Sequence, residues 1–446
     1  MLIRRKLAVL ICLLMSPMTA EAAGLRVFSI PFEFLLFAAM LAGIALFHRR
    51  TLQIALGGLA LLLVYKFAFT GFAGGPGLPG FMDHLSREGV TLINLLGLLT
   101  GFALLADHFY QSRVPLALPR ILPDDWKGGF LLLVIVFVLS SFLDNIAAAI
   151  IGGTMAKAVF RDKLHIGYIA AIVAASNGGG AGSVVGDTTT TMMWINGVNP
   201  VEVLDAYIAA IVALLFFGVF AALQQQRYSP IVKNSRSDVT LDAVRVAIVV
   251  FILLAAIAAN VTTNTVFPTV ADTFPVIGAA VWAALLVTAP LRKPDFSLIP
   301  AAARSSLFLL SLVLCASLMP VKELPPASWP STLGLGFVSA VFDNIPLTAL
   351  ALEQGGYDWG MLAYCVGFGG SISWFGSSAG VAICNLFPES RSVIAWLRGG
   401  WHVAVAYLIG FAALLLILGW HPTDANGARA HPEPVSGFSE PPSNPI

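Results

Sequence analysis

The chain has 446 residues, of which 58% are hydrophobic and only 11% are charged, with a formal net charge of +1. Soluble globular proteins carry roughly 25% charged residues, so this composition excludes a water-soluble domain and makes the lipid bilayer part of the solvent. Basic residues are scattered through loops and form no stripe, which excludes nucleic acid as a partner. The first 23 residues read as a leader: Arg4, Arg5 and Lys6 precede an apolar run from Leu7 to Met15, and Ala20-Glu21-Ala22 supplies an A-x-A cleavage pattern. An uncleaved first helix is the alternative reading.

The remaining apolar runs leave room for about ten crossings at roughly 20 residues each. Helices are expected near 28–47, 53–71 and 89–106. Arg49 and Arg50, the basic residues of 113–127, 157–163, 227–245 and 292–304, and Arg391 with Arg398 then fall on one side. Only Arg26, Arg87, Lys322 and Arg429 fall on the other. By the positive-inside rule the richer side is the cytoplasm. The expectation is a multi-pass protein of a bacterial inner membrane, with the N-terminus outside after cleavage and the C-terminus outside. Lys66 and Glu33 lie within or near the ends of spans, where snorkelling accounts for them. Cys12, Cys315, Cys365 and Cys384 lack ligand spacing and read as packing residues, and no His has an acid or a second His at ligand spacing. No metal centre or cofactor is expected; any ion is cargo.

The stretch 128–160 is too long for one crossing and is flanked by basic residues at both ends, so it should enter and return. Its turn falls at Leu143-Asp144-Asn145-Ile146. The same shape recurs within 331–358, with Phe342-Asp343-Asn344-Ile345-Pro346 at the turn and acidic flanks that open it to the opposite face. Non-helical backbone at membrane depth is tolerated where protein or a water-filled cavity covers it. A glycine-rich interruption follows each hairpin: Asn177 to Thr191 after the first, Gly367 to Ser378 after the second. Setting Gly186 against Gly376 aligns Gly179 with Gly369, Gly180 with Gly370, Ser183 with Ser373, and Asp187 with Ser377. Leu139–Asn145 likewise pairs with Val338–Asn344. From hairpin Asp to aligned Gly is 42 residues in the first copy and 33 in the second, a difference assigned to the loops.

The fold class expected is an all-α polytopic membrane protein with two inverted repeats, each a re-entrant hairpin followed by a broken helix. Its division is a leader at 1–23, scaffold helices at 24–127, the first repeat at 128–223, a cytoplasmic loop at 224–245, scaffold helices at 246–330, the second repeat with the last helix at 331–420, and a disordered tail at 421–446. Paired broken helices in inverted halves point to a midplane substrate site. Glycine lets backbone approach an ion closely, hydroxyls supply neutral oxygen ligands, and an Asp at bilayer depth usually marks an ion or proton pathway. Proton and cation would compete for such a carboxylate. Asp144 and Asp343 could also be turn caps, and Asp187 could cap the half-helix beginning at Thr188.

These motifs resemble the ion transporter superfamily that holds arsenite permeases, citrate and dicarboxylate carriers and NhaD-type sodium/proton antiporters. Asn177 to Trp194, Phe342 to Thr348 and Gly376 to Gly380 are most similar to the NhaD type; the rest matches only in hydropathy. The resemblance implies one half of a cation site from Asp144, Asn145, Asp187, Thr188 and Thr189, with Asn177 beside them, and the other half from Asp343, Asn344, Ser377 and Ser378. It also implies a homodimer with a static scaffold and a moving transport domain. One departure is Ala147-Ala148-Ala149, where NhaD-type hairpins tend to carry Thr. Sodium or lithium efflux against protons is the leading expectation. A coupled carrier of citrate, dicarboxylates or arsenite is the second, argued against by an Asp at both hairpin tips. An enzyme would need a Ser-His or His-Glu arrangement at suitable spacing, which the sequence lacks.

Overall fold

A computed structural model describes residues 25–28, 30–47, 50–72, 74–117, 121–231, 240–267, 270 and 273–423. The leader, the loop centre at 232–239 and the tail from 424 lie outside the described residues. A two-stranded antiparallel ribbon, Arg26–Val27 with Ile30–Pro31, precedes an otherwise helical chain. Helix α1 is Phe32–Leu46, α2 is Thr51–Tyr65 and α3 is Gly77–Gln111. The third begins well before the apolar run because its first turns are two-faced. Arg87 pairs with Asp83 at 2.7 Å one turn away on the outer face, while buried His84 bonds Ser317 at 3.0 Å on the inner.

The first repeat comprises α4 (Trp126–Ser140), α5 (Asn145–Val159), α6 (Ile166–Ala181), α7 (Thr188–Ile195) and α8 (Ala206–Tyr228). Helices α9 (Ala243–Val266), α10 (Val276–Thr288) and α11 (Ile299–Ser317) follow. The second repeat comprises α12 (Trp329–Ser339), α13 (Asn344–Gln354), α14 (Trp359–Gly369), α15 (Ser378–Leu386), α16 (Val393–Gly399) and α17 (Trp401–Ile417). Helices α16 and α17 bend by 62° at Gly400.

The chain is an all-helical, multi-pass membrane protein. Among the described residues five helices are long and apolar enough to cross a bilayer, or six if α16 and α17 count as one bent span. The remaining apolar runs counted among about ten crossings form shorter helices. Many of those runs are half-length helices such as α4, α5 and α6, and at 1.5 Å per residue a 15-residue helix reaches only about 22 Å.

Each copy builds the same local structure. Asp144 (φ −51°, ψ 139°) and Asp343 (φ −55°, ψ 143°) cap their following helices, each carboxylate accepting from the amide two residues on. Ser140 donates to the Ser176 carbonyl and Ser339 to that of Val366. Ser183 donates to the Ser141 carbonyl, and its counterpart Ser373 to that of Ala340. A side chain at Gly179 would meet the Phe137 carbonyl at 2.0 Å, and one at Gly369 would meet that of Gly336 at 2.3 Å. Only glycine lets each broken helix lie against the first arm of its own hairpin. The 42-against-33 spacing resides mainly in helix length: α5 and α6 have 15 and 16 residues, α13 and α14 have 11 each.

The copies interleave. Helix α5 packs against α15 of the other copy, α13 packs against α7, and α8 packs along α17. A second core joins α1, α2 and α11 around Phe37, Leu62 and Leu312.

Two expectations change here. The tail does not leave the fold at His421: its amide donates to Asp358 at 3.0 Å, and Thr423 accepts from the Trp359 indole at 2.9 Å, so polar residues pack because the start of α14 offers partners. Nor do Lys66 and Glu33 snorkel. They pair at 3.7 Å with side chains 11% and 4% exposed, and Lys66 opens a π-helical turn, Lys66–Thr70, that continues α2. Breaking a buried pair from one side leaves an unpaired charge at a cost of about 3–5 kcal/mol. Glu33→Gln is therefore expected to lower the melting temperature in detergent, and adding Lys66→Met to recover most of the loss. A double variant no more stable than the single would show that the pair is not what holds this corner.

Candidate functional site

The breaks in α6/α7 and α14/α15 place two N-cap residues in matching conformations, Asp187 (φ −143°, ψ 146°) and Ser377 (φ −142°, ψ 153°). Both are buried, Asp187 being 2% exposed. Asn145, the first residue of α5, donates to one Asp187 oxygen at 3.0 Å. Asn344, the first residue of α13, donates to the other at 3.3 Å, and the Thr189 hydroxyl reaches that same oxygen at 2.6 Å. Both hairpins thus hold a single carboxylate.

Asn177 extends the network. Its carbonyl accepts from Asn145 at 3.2 Å, and its amide donates to Ser377 at 3.0 Å and Ser371 at 2.9 Å. Among the described residues no ion pair reaches Asp144, Asp187 or Asp343. A buried carboxylate without a cationic partner is costly unless a proton or a bound cation neutralises it. Carboxylate, amide and hydroxyl oxygens make a hard donor set that suits alkali and alkaline-earth cations better than soft metals.

The hairpin acids line two neighbouring chambers, one of which Asp187 also lines. Asp343 accepts from Ser378 at 2.7 Å and lines a chamber of about 640 Å³ with Arg50, Gln53, Arg304 and Phe375. Asp144 lines a chamber of about 280 Å³ with Thr188, Thr191, Ser306 and an edge of Asp187. Ile146, Ser305 and Leu309 line both, so they form the wall between the chambers.

The expected residues are therefore brought together, but not as one half-site per repeat. Asn145, Asn177, Asp187, Thr189, Asn344 and Ser377 form a single mixed network; Asp144 with Thr188, and Asp343 with Ser378, line the two adjoining chambers. Each hairpin tip packs against the break of the other copy as well as its own, so these contacts mix residues of the two expected halves. Ser371, Ser305 and the two arginines were not singled out from sequence. Ser371 lies inside the second glycine block, and Ser305-Ser306 is a hydroxyl pair in an otherwise apolar helix, so both left a trace.

No family model matches the chain. One stretch of 102 residues, 20% of the chain, is 34% identical to sodium/proton antiporter 1 of Arabidopsis thaliana and spans 16% of that protein.

Proposed function

We propose that the protein is a secondary active transporter exchanging sodium or lithium for protons, with Asp187 as the carboxylate that cation and proton occupy in turn. The observation that carries this reading is a buried Asp187 held by Asn145, Asn344 and Thr189, all neutral donors. Proton binding relieves the buried charge in one step of the cycle and cation binding in the other, so the two exclude each other. Asp144 and Asp343 hand ions to the centre from the two chambers, and the two copies act as inverted repeats on opposite faces of a bacterial inner membrane. A homodimer with a static scaffold and a moving transport domain belongs to this reading.

Proteoliposomes loaded with a pH dye test the exchange. Added sodium or lithium is expected to drive proton movement, potassium much less; no cation-dependent proton movement would falsify the proposal. A second reading, a sodium- or proton-coupled carrier of citrate, dicarboxylates or arsenite, draws on Ala147-Ala148-Ala149 and on the N-terminus of α15 at Ser377, where helix dipoles attract anions. Uptake of labelled citrate or succinate with and without sodium separates the two.

Sodium affinity is expected to depend on the ring of Asn145, Asn344 and Thr189 around Asp187. Thr189→Val removes the hydroxyl at 2.6 Å from Asp187, and loss of a hydrogen bond to a charged group is worth about 1.5–3 kcal/mol. The apparent sodium affinity should fall by about tenfold to a hundredfold, with the protein still folded. An unchanged sodium dependence would remove Thr189 from the ring.

A further inference from the structure

The chamber over Asp343 carries a feature the exchange reading does not use. Arg50, capping α2, and Arg304, in the first turns of α11, both line it, and neither guanidinium has a hydrogen bond or ion pair among the described residues. Two unpaired cations on the approach to a cation-accepting carboxylate oppose cation entry. They also bring two forked donors to one space, the arrangement that suits a phosphate group.

The rest of the lining narrows the ligand. At about 640 Å³ the chamber exceeds by far the roughly 30 Å³ share of one water, more than a small inorganic anion fills. Much of its wall is apolar: Leu41 and Ile44 from α1, Phe308 and Leu312 from α11, Phe375 and Val381 from the second break. Charged head and apolar body are the two halves of a lipid, and basic pockets between membrane helices take anionic head groups.

We propose that this chamber binds an anionic phospholipid, with its phosphate on Arg50 and Arg304 and its acyl portion against the α1 and α11 walls. The lipid's single negative charge offsets part of the two guanidiniums' charge, and its body lies along the α1 and α11 walls, leaving the Asp343 end of the chamber open to ions. The site does not depend on what the protein transports, so binding can be measured without a transport assay.

The test is native mass spectrometry of the full chain released from nanodiscs holding equal phosphatidylglycerol and phosphatidylcholine. Wild type is expected to retain phosphatidylglycerol selectively, and Arg50→Gln with Arg304→Gln to reduce that retained lipid at least fivefold. Arg50→Lys with Arg304→Lys should keep part of it. Absence of selectivity in wild type overturns the proposal without reliance on any variant, and so does equal retention by wild type and the double Gln variant. In a parallel arm, delipidated wild type is heated with inorganic phosphate or with phosphatidylglycerol. Protection by phosphatidylglycerol alone supports the lipid, whereas equal protection by phosphate overturns it in favour of a small-anion site.

Discussion

Asp187→Asn is expected to lower sodium-driven proton movement in inverted vesicles by at least about 100-fold while leaving the protein folded. The substitution keeps the shape of the side chain, and its remaining carbonyl still accepts from one hairpin. What it removes is the negative charge on which Asn145, Asn344 and Thr189 converge at 3.0, 3.3 and 2.6 Å. A neutral amide there neither binds a proton near neutral pH nor offsets a desolvated cation. Losing one charged partner of a buried pair costs about 3–5 kcal/mol, and every 1.4 kcal/mol is tenfold. Monodispersity on size exclusion checks the fold, and the dye signal checks the exchange. Wild-type exchange by a well-folded Asp187→Asn protein would remove Asp187 from the centre of the mechanism.

Gly179→Ala is expected to abolish the folded protein, although it adds a single methyl group. The added carbon would lie 2.0 Å from the Phe137 carbonyl oxygen and 2.8 Å from its carbon, both backbone atoms of α4. Overpacking usually costs about 1–3 kcal/mol because side chains move aside; here no side chain can yield, so α6 must leave α4. The bonds from Ser140 to Ser176 and from Ser141 to Gly179 would go with it. Gly57→Ala is the contrast, since nothing lies within 4 Å of its added carbon and α2 gains helix propensity of about 1 kcal/mol. Fluorescence-detected size exclusion of both variants should show an aggregated or missing peak for the first and a normal peak for the second. A normal peak for Gly179→Ala would mean that the approach of α6 to α4 is looser than the structure has it.

Much of this arrangement was legible in the chain. The Asp-Asn pair at each hairpin and the matched glycine blocks mark turns and breaks, because a polar tip inside an apolar run and a run of glycines both report local backbone need. Those signals single out Asp144, Asn145, Asn177, Asp187, Asp343, Asn344 and Ser377. They did not reveal that Asn344 serves Asp187, a residue 157 positions away. Nor could hydropathy show that Glu33 meets Lys66, since each alone reads as a span-end residue, or that Arg50 and Arg304 share one chamber.

Sequence by itself determined where the two hairpins turn and the two following helices break, because capping and glycine freedom are properties of neighbouring residues. Tertiary structure alone decided which carboxylate is central. The two repeats carry Asp and Ser at matching breaks, and only the packing of α5 on α15 and α13 on α7 turns both hairpin asparagines toward those breaks. Burial and hydrogen bonding between distant segments depend on the closed fold, so Asp187 becomes the shared centre there and not in the chain read as a line.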